Sequence, residues 1–196
     1  MRVLMVHNFY QQPGGEDQSF AAEVEMLRSR GQEVETWTVH NDDIAGVPAP
    51  RLALETVWNG RAAQELKRRL ESDGPFDVVH FQNTFPLISP AAVWAAGRGR
   101  PAVVQTLRNY RLLCANGLFY RDGGVCELCI DRRLQIPGIR FACYRDSVPA
   151  SAAVAAMNFY SRSRRVHDRS VDMFIALSRF ARSKYAHAGL VPERIA

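Results

Sequence analysis

Five short apolar runs, each of strand length, recur along this 196-residue chain. Two of them, at residues 77–81 and 103–107, are nearly continuous in apolar or β-branched side chains, which is typical of parallel strands covered on both faces. The five predicted strands are Arg2–His7, Val34–Val39, Asp77–Phe81, Ala102–Leu107 and Met173–Leu177.

Helical patterns separate most of these runs. Between Asp17 and Arg30, the apolar residues Phe20, Val24 and Leu27 recur at helical spacing, and Gly31 supplies a stop. Further helices are predicted around 62–70, after Pro90, over 151–164 and over 178–187. The alternation predicts an α/β fold with a Rossmann-like parallel sheet, helices on both faces and a Cys-rich insertion at about 114–146.

Polar and aromatic residues gather where the predicted strands end. Parallel strands joined by right-handed crossovers bind ligands outside their carboxyl ends, so these loops are expected to form a site. The residues at the strand exits are Asn8, Tyr10, Gln82, Asn83, Thr84, Arg108, Asn109, Tyr110, Arg111 and Ser178.

The segment Pro13-Gly14-Gly15-Glu16-Asp17 follows the first strand and opens a helix. Unpaired backbone N–H groups at such a helix start can receive a phosphate or diphosphate, which suggests a nucleotide-sugar or phosphorylated ligand. The alternative is a tight turn in which Glu16 and Asp17 favour the first helical turn.

The composition indicates a globular, single-domain protein but does not indicate a binding partner. The length suits a single domain, and 47% hydrophobic with 23% charged residues are values typical of globular proteins. The N-terminal apolar run is too short for a signal peptide or a membrane span, so we expect a cytoplasmic protein. A net charge of +5 is modest, and no nucleic-acid-binding motif accompanies it.

All four cysteines, Cys114, Cys126, Cys129 and Cys143, fall in one stretch with the spacing C-x11-C-x2-C-x13-C. A Cys-x-x-Cys turn with two flanking cysteines can complete a tetrahedral, closed Zn²⁺ site, so we predict a structural zinc. Disulfides, unligated thiols and an iron–sulfur cluster are the alternatives.

Three segments together resemble a known family: MRVLMVHNFYQQPGG at 1–15, FDVVHFQNTFPLISP at 76–90 and VQTLRNYRLLCANG at 104–117, continued by IALSRFARSKY. The pattern resembles the N-terminal half of family-4 retaining glycosyltransferases, and the cysteine-bearing insert resembles that of a bacterial subgroup. The resemblance implies the GT-B architecture, in which an N-terminal domain mainly binds the acceptor and a C-terminal domain binds the nucleotide-sugar donor. We expect residues 1–196 to be the N-terminal domain alone, with the C-terminal donor-binding domain absent and the isolated chain inactive.

The resemblance also suggests roles for individual residues. Gly14, Gly15 and Glu16 match the family's glycine loop near donor and acceptor, and Asn83, Thr84 and Asn109 are expected to join that site. Arg108 stands where relatives often have a histidine near the reacting sugar, which makes it the candidate catalytic residue. Arginine stays charged and cannot act as a base, so Arg108 could instead pair with a phosphate or an acidic sugar, or be a solvated loop residue.

The leading hypothesis is therefore the acceptor-binding domain of a retaining glycosyltransferase, acting on a glycan or lipid-linked acceptor in bacterial polysaccharide or glycoconjugate synthesis. The alternative is a non-catalytic, zinc-stabilised module that binds carbohydrate or nucleotide. A nicotinamide-dependent oxidoreductase is disfavoured because the glycine turn lacks the G-x-G-x-x-G spacing. A basic cluster at Arg162, Arg164, Arg165, His167 and Arg169 has two interpretations, contact with the inner face of the plasma membrane or a solvated helix flank.

Overall fold

A five-stranded parallel sheet forms the centre of the molecule in the computed structural model, which describes residues 1–196. The strands lie in the order β2-β1-β3-β4-β7, so the predicted α/β fold with a Rossmann-like parallel sheet is confirmed. A separate two-stranded hairpin is formed by β5 and β6. The strands are β1 (Arg2–Phe9), β2 (Glu33–His40), β3 (Val78–Phe81), β4 (Ala102–Leu107), β5 (Tyr120–Arg121), β6 (Gly124–Val125) and β7 (Met173–Ala176).

Eight α-helices connect and cover the strands. They are α1 (Gly15–Ser29), α2 (Ala49–Val57), α3 (Gly60–Ser72), α4 (Ser89–Ala96), α5 (Ile136–Arg140), α6 (Val148–Ser163), α7 (Val166–Ser170) and α8 (Arg179–His187). None of these helices combines the length and the apolar character that crossing a membrane requires.

Alternate residues of β1 face two different hydrophobic cores. Val3 and Met5 pack with Phe20 and Val24 of α1, whereas Leu4 and Val6 belong to the larger core on the opposite face, which also contains residues of α3, α4 and α7. This two-residue period is what a strand covered on both sides requires. Every residue from Val3 to Asn8 is buried, which explains why the apolar run reads as continuous.

The order in which strands are added to the sheet reverses after β2: β2 lies on one side of β1, and the next strand, β3, lies on the other side. β1 pairs with β2 on one side and with β3 on the other, and both pairings are parallel. The carboxyl ends of β1 and β3 therefore form the switch point at which open α/β sheets bind ligands. Here the two strand exits are joined, because Asn8 N–H donates to the Asn83 carbonyl at 2.9 Å and Asn83 Nδ2 donates to the Asn8 carbonyl at 2.6 Å.

The structure adds elements that the periodicity did not predict. The added elements lie in segments for which no helix or strand was predicted. They are α2, the short helices α5 and α7, a 3-10 turn at Asn41–Ile44 and the β5–β6 hairpin. β1 also continues two residues beyond His7, to Phe9. These elements are short, and the Cys-rich stretch has no periodic apolar face because much of its backbone is irregular.

Left-handed backbone conformations concentrate in the Cys-rich stretch. Seven residues other than glycine have positive φ, and five of them lie in it, with φ between 48° and 55°. Such conformations are costly for residues with a Cβ and persist only where surrounding contacts fix them. The five residues are Phe119, Asp122, Ala142, Arg145 and Asp146.

Candidate functional site

The glycine turn after β1 leads directly into α1. Gly14 is the N-cap residue in an extended conformation, and its N–H donates to Asp17 Oδ2 at 3.0 Å. Neither Gly14 nor Gly15 has a positive φ, and a Cβ on either would meet no atom within 4 Å. The protein's own packing thus leaves the space beside these two residues open.

Asp17 also anchors the end of β1. Its Oδ1 lies 2.8 Å from Nε2 of His7, whose side chain is completely buried. The His7 ring stacks on Phe20 with centroids 4.5 Å apart, and burial lowers the pKa of His7 although the nearby carboxylate opposes that shift. A neutral His7 that donates to Asp17 fixes the start of α1 against β1, which is a structural role.

Glu16 connects the glycine turn to the exit of β4. Its Oε1 accepts a hydrogen bond from Asn109 Nδ2 at 2.8 Å, and its Oε2 accepts one from the Tyr10 hydroxyl at 3.1 Å. Asn109 is fixed in turn, because its carbonyl accepts a hydrogen bond from the hydroxyl of Tyr185 in α8. Two of the predicted site residues, Glu16 and Asn109, are therefore in direct contact.

Arg108 is held by two partners rather than exposed in a loop. Its Nε donates to Gln82 Oε1 at 2.8 Å, and its Nη2 pairs with the carboxylate of Glu23 on α1. The side chain is 7% exposed, so the interpretation of Arg108 as a solvated loop arginine is wrong. The guanidinium supplies a fixed positive charge at the exit of β4, against the middle of α1.

A chain of hydrogen bonds continues from Gln82 into the sheet. Gln82 Nε2 contacts Glu23 and lies 3.1 Å from His80 Nε2, and His80 Nε2 lies 2.8 Å from Thr106 Oγ1. Burial lowers the pKa of His80 to about 4, so this histidine is neutral at pH 7. His80 contacts Thr106 on the neighbouring strand β4 and Gln82 at the exit of β3, so it helps to hold the Gln82 side chain in position.

Four of the predicted residues, Asn83, Thr84, Arg108 and Asn109, line one pocket at the carboxyl edge. Asn83 is 5% exposed, and both ends of its amide are used by backbone groups, since Asn83 Oδ1 also accepts from Phe85 N–H at 3.1 Å. Asn83 therefore shapes the site, whereas Thr84 at the same strand exit is half-buried and makes no side-chain hydrogen bond within the protein.

Two opposite electrostatic effects act on a ligand at the start of α1. The helix dipole and the backbone N–H groups favour an anion there, but the carboxylates of Glu16 and Asp17 already stand in the first turn. A neutral ligand group that donates hydrogen bonds suits this turn better than a second anion. Sugar hydroxyls have that property, and the Glu16 carboxylate can accept from one of them.

Sequence reasoning missed two residues that organise this edge. Glu23 lies about two helical turns beyond Gly15 and reads in the sequence as an ordinary polar residue of a regular helix, yet it pairs with Arg108. Asn41 begins the 3-10 turn after β2, is buried, and accepts from Asn8 Nδ2 at 2.8 Å. A clue for Asn41 was its place directly after a predicted strand, whereas no local pattern marks Glu23.

The four cysteines are free thiols that line one small pocket together with residues of α5. Burial raises the pKa of Cys129 and Cys143, and the other thiols contribute to the rise. The structure contains no group of three or more His, Cys, Asp or Glu side chains arranged to hold a metal ion. The fold thus brings the four predicted ligands to one pocket, but their thiols are not arranged as metal ligands. Zinc binding stays a prediction.

Comparison with known proteins identifies the family of the chain. The model of the glycosyl transferase 4-like domain family matches residues 14–196. Among curated proteins, none matches the chain. Two solved structures of Anabaena HepE, one in complex with UDP-glucose and one with UDP and glucose, are similar at 14% identity and a TM-score of 0.45; the match covers 100% of this chain and 43% of HepE. The resemblance to family-4 glycosyltransferases is thereby confirmed, and the chain belongs to the glycosyl transferase 4-like domain family.

Proposed function

We propose that this chain is the acceptor-binding half of a retaining glycosyltransferase, which moves a sugar from a nucleotide-sugar to a glycan or lipid-linked acceptor. The observation that carries the proposal is the hydrogen-bonded junction of the glycine turn with the β4 exit, through Glu16 and Asn109. The junction lies at the carboxyl edge of the parallel sheet, the edge that open α/β sheets generally use for ligands, and this position supports the proposal.

The charges at this edge support an acceptor rather than a diphosphate as the ligand of this domain. Glu16 is a hydrogen-bond acceptor suited to a sugar hydroxyl, and Gly14 and Gly15 leave open space beside it. Arg108 is partly neutralised by Glu23 and presents a donor that cannot take up a proton. In this proposal Arg108 stabilises negative charge that develops on the leaving diphosphate, and a second domain binds the donor nucleotide.

An adjoining apolar cavity supports the lipid-linked form of the acceptor. This cavity of about 360 Å³ lies between α2, α6 and the β3–α4 loop. Phe85 lines both this cavity and the pocket that contains Arg108. In this proposal the apolar chain of the acceptor occupies this cavity, its sugar head lies on the side of Arg108, and the reaction takes place at the cytoplasmic face of the membrane.

Zinc belongs to the same proposal as a structural ion of the Cys-rich stretch. All four thiols border one pocket, and five left-handed residues in that stretch need an external constraint. Zn²⁺ bound by Cys114, Cys126, Cys129 and Cys143 would supply that constraint after displacing the thiol protons. Because such a site is closed, the ion takes no part in sugar transfer.

The test is release of the nucleoside diphosphate from a panel of nucleotide-sugars by the chain joined to its donor-binding domain. We expect Glu16→Gln to lower turnover at least tenfold, because it removes a charged acceptor from the junction. Glu25→Gln, an exposed change on the same helix, is the matched control and is expected to have no effect. NMR of the product's anomeric centre tests retention.

Failure of the folded two-domain protein to release nucleotide with any donor and acceptor would contradict the enzymatic proposal. One observation favours the alternative of a non-catalytic carbohydrate- or nucleotide-binding module, namely that the Arg108 side chain is already engaged by Glu23 and Gln82. That module would bind sugar in calorimetry without any turnover.

A further inference from the structure

A second polar cavity lies away from the glycine turn, between α6, α7, the end of α8 and the Cys-rich stretch. Its volume is about 390 Å³, within the range of about 300–1,000 Å³ that is usual for small-molecule sites. Four arginines line it, two from the Cys-rich stretch, one from the last turn of α6 and one from the N-cap of α7: Arg132, Arg133, Arg162 and Arg165.

Positive charge in this cavity exceeds negative charge. The guanidinium of Arg162 donates to the carbonyls of Arg132 and Leu112, at 3.0 and 2.8 Å, and it has no carboxylate partner. Two aspartates also line the cavity, but each is already paired, Asp131 with His187 at 2.8 Å and Asp168 with Arg165 at 3.2 Å. The uncompensated charge favours an anionic ligand.

Three polar atoms on the cavity-lining side chains lack a hydrogen-bond partner. Oδ1 of Asn158 and Oγ of Ser161 are buried without one, and both residues are 2% exposed. Nε2 of His167 is likewise unpartnered. Buried polar atoms are normally satisfied, so three unsatisfied atoms around one cavity indicate a missing partner.

All three atoms can accept a hydrogen bond. His167 Nδ1 lies 2.9 Å from Gln105 Oε1, and because an amide oxygen only accepts, Nδ1 carries the proton. Burial lowers the pKa of His167 to about 4, so at pH 7 the ring is neutral and Nε2 presents a lone pair. The ligand therefore needs hydroxyl-type donors as well as an anionic group.

We propose that this cavity binds a phosphorylated sugar or polyol, with its phosphate facing the arginines and its hydroxyls donating to Asn158, Ser161 and His167. The site differs from the pocket that contains Arg108, with which it shares the lining residues Leu112 and His167, and the inference does not depend on the proposed transferase function. It gives part of the basic cluster a ligand-binding role, in place of a solvated helix flank.

Isothermal titration calorimetry of the 196-residue chain with glucose 6-phosphate, inorganic phosphate and glucose tests the proposal. We expect glucose 6-phosphate to bind with Kd below about 1 mM, phosphate more weakly and glucose least. Arg133→Gln and Arg165→Gln are expected to weaken the binding of glucose 6-phosphate about tenfold each. The matched control Arg164→Gln changes an exposed neighbour outside the cavity and should leave Kd unchanged.

A further variant tests the hydroxyl-binding part. Ser161→Ala removes an unpartnered hydroxyl, so it should keep the thermal unfolding temperature while weakening glucose 6-phosphate several-fold and leaving phosphate binding unchanged. Absence of glucose 6-phosphate binding would overturn the inference. So would equal affinity for phosphate and glucose 6-phosphate, or equal losses in Arg165→Gln and Arg164→Gln.

Discussion

The carboxylate of Glu23 pairs with the guanidinium of Arg108, although 85 residues separate them along the chain. This contact ties α1, on one face of the sheet, to the exit of β4. It fixes Arg108 at the exit of β4 and determines how much of its charge is available to a ligand. Glu23 is therefore a positioning residue of the proposed site.

Glu23→Gln is expected to lower the free energy of unfolding by about 1–3 kcal/mol, because it leaves the charge of the buried Arg108 without its carboxylate. The loss stays below that of a fully buried pair, since the Glu23 side chain is 30% exposed. Urea unfolding measures the change, with Glu25→Gln as control. In a double-mutant cycle with Arg108→Gln, a coupling energy near zero would contradict this role.

Gly15→Ala should separate stability from ligand binding. A Cβ there meets no atom within 4 Å, so the free energy of unfolding should stay equal or rise by about 0.4–1 kcal/mol. The added methyl group enters the space proposed for the acceptor and should raise the KM for the acceptor in the two-domain enzyme. Gly31→Ala is the contrasting variant, because its φ of +74° predicts a loss of about 1 kcal/mol. An unchanged KM in Gly15→Ala would place the acceptor elsewhere.

Stability should decline as the pH falls from about 6.5 towards 4. Burial lowers the pKa of His80 to about 4, so below pH 6.5 the unfolded chain binds a proton that the folded chain does not. The stabilisation is complete above the unfolded pKa, and His80 alone removes about 1.4 kcal/mol per pH unit within that window. Urea unfolding at pH 7, 6 and 5 measures the slope.

His80→Gln should make that slope shallower, because it removes the buried imidazole. His7 and His167, whose pKa values are also lowered by burial, contribute to the slope with the same sign. Identical slopes in the wild type and in His80→Gln would show that His80 is not buried neutral.

Purification without added metal should yield about one zinc ion per chain if the four cysteines form the predicted site. Cys129→Ser, which changes a buried member of the set, should lower both the zinc content and the thermal unfolding temperature. Metal analysis settles the stoichiometry, and visible absorption distinguishes an iron–sulfur cluster. Zinc well below one equivalent in the wild type would contradict the prediction.

The strands and main helices could be predicted because their signal is local. The apolar run of β1 faces two cores at once, and such burial leaves a continuous pattern in the sequence. The strand-exit rule likewise brought Asn83, Thr84, Arg108 and Asn109 to one pocket. Glu23 escaped because its role depends on a partner 85 residues away, and no periodicity encodes such a contact.

Short elements escaped for a different reason. Helix α5 has five residues and lies in the Cys-rich stretch, where left-handed turns rather than periodic burial determine the path of the chain. The cavity lined by the four arginines could not be predicted either, because Arg132 and Arg162 come into contact only when the Cys-rich stretch packs against α6.

β4 and β7 are hydrogen-bonded neighbours in the sheet, so all of residues 108–172 constitute a single crossover between adjacent strands. This one connection contributes Asn109, the four thiols, most of the cavity lined by the four arginines, and one wall of the apolar cavity. Sequence changes confined to this connection could therefore alter which ligands the protein binds, while the pairing of β4 with β7 remained intact.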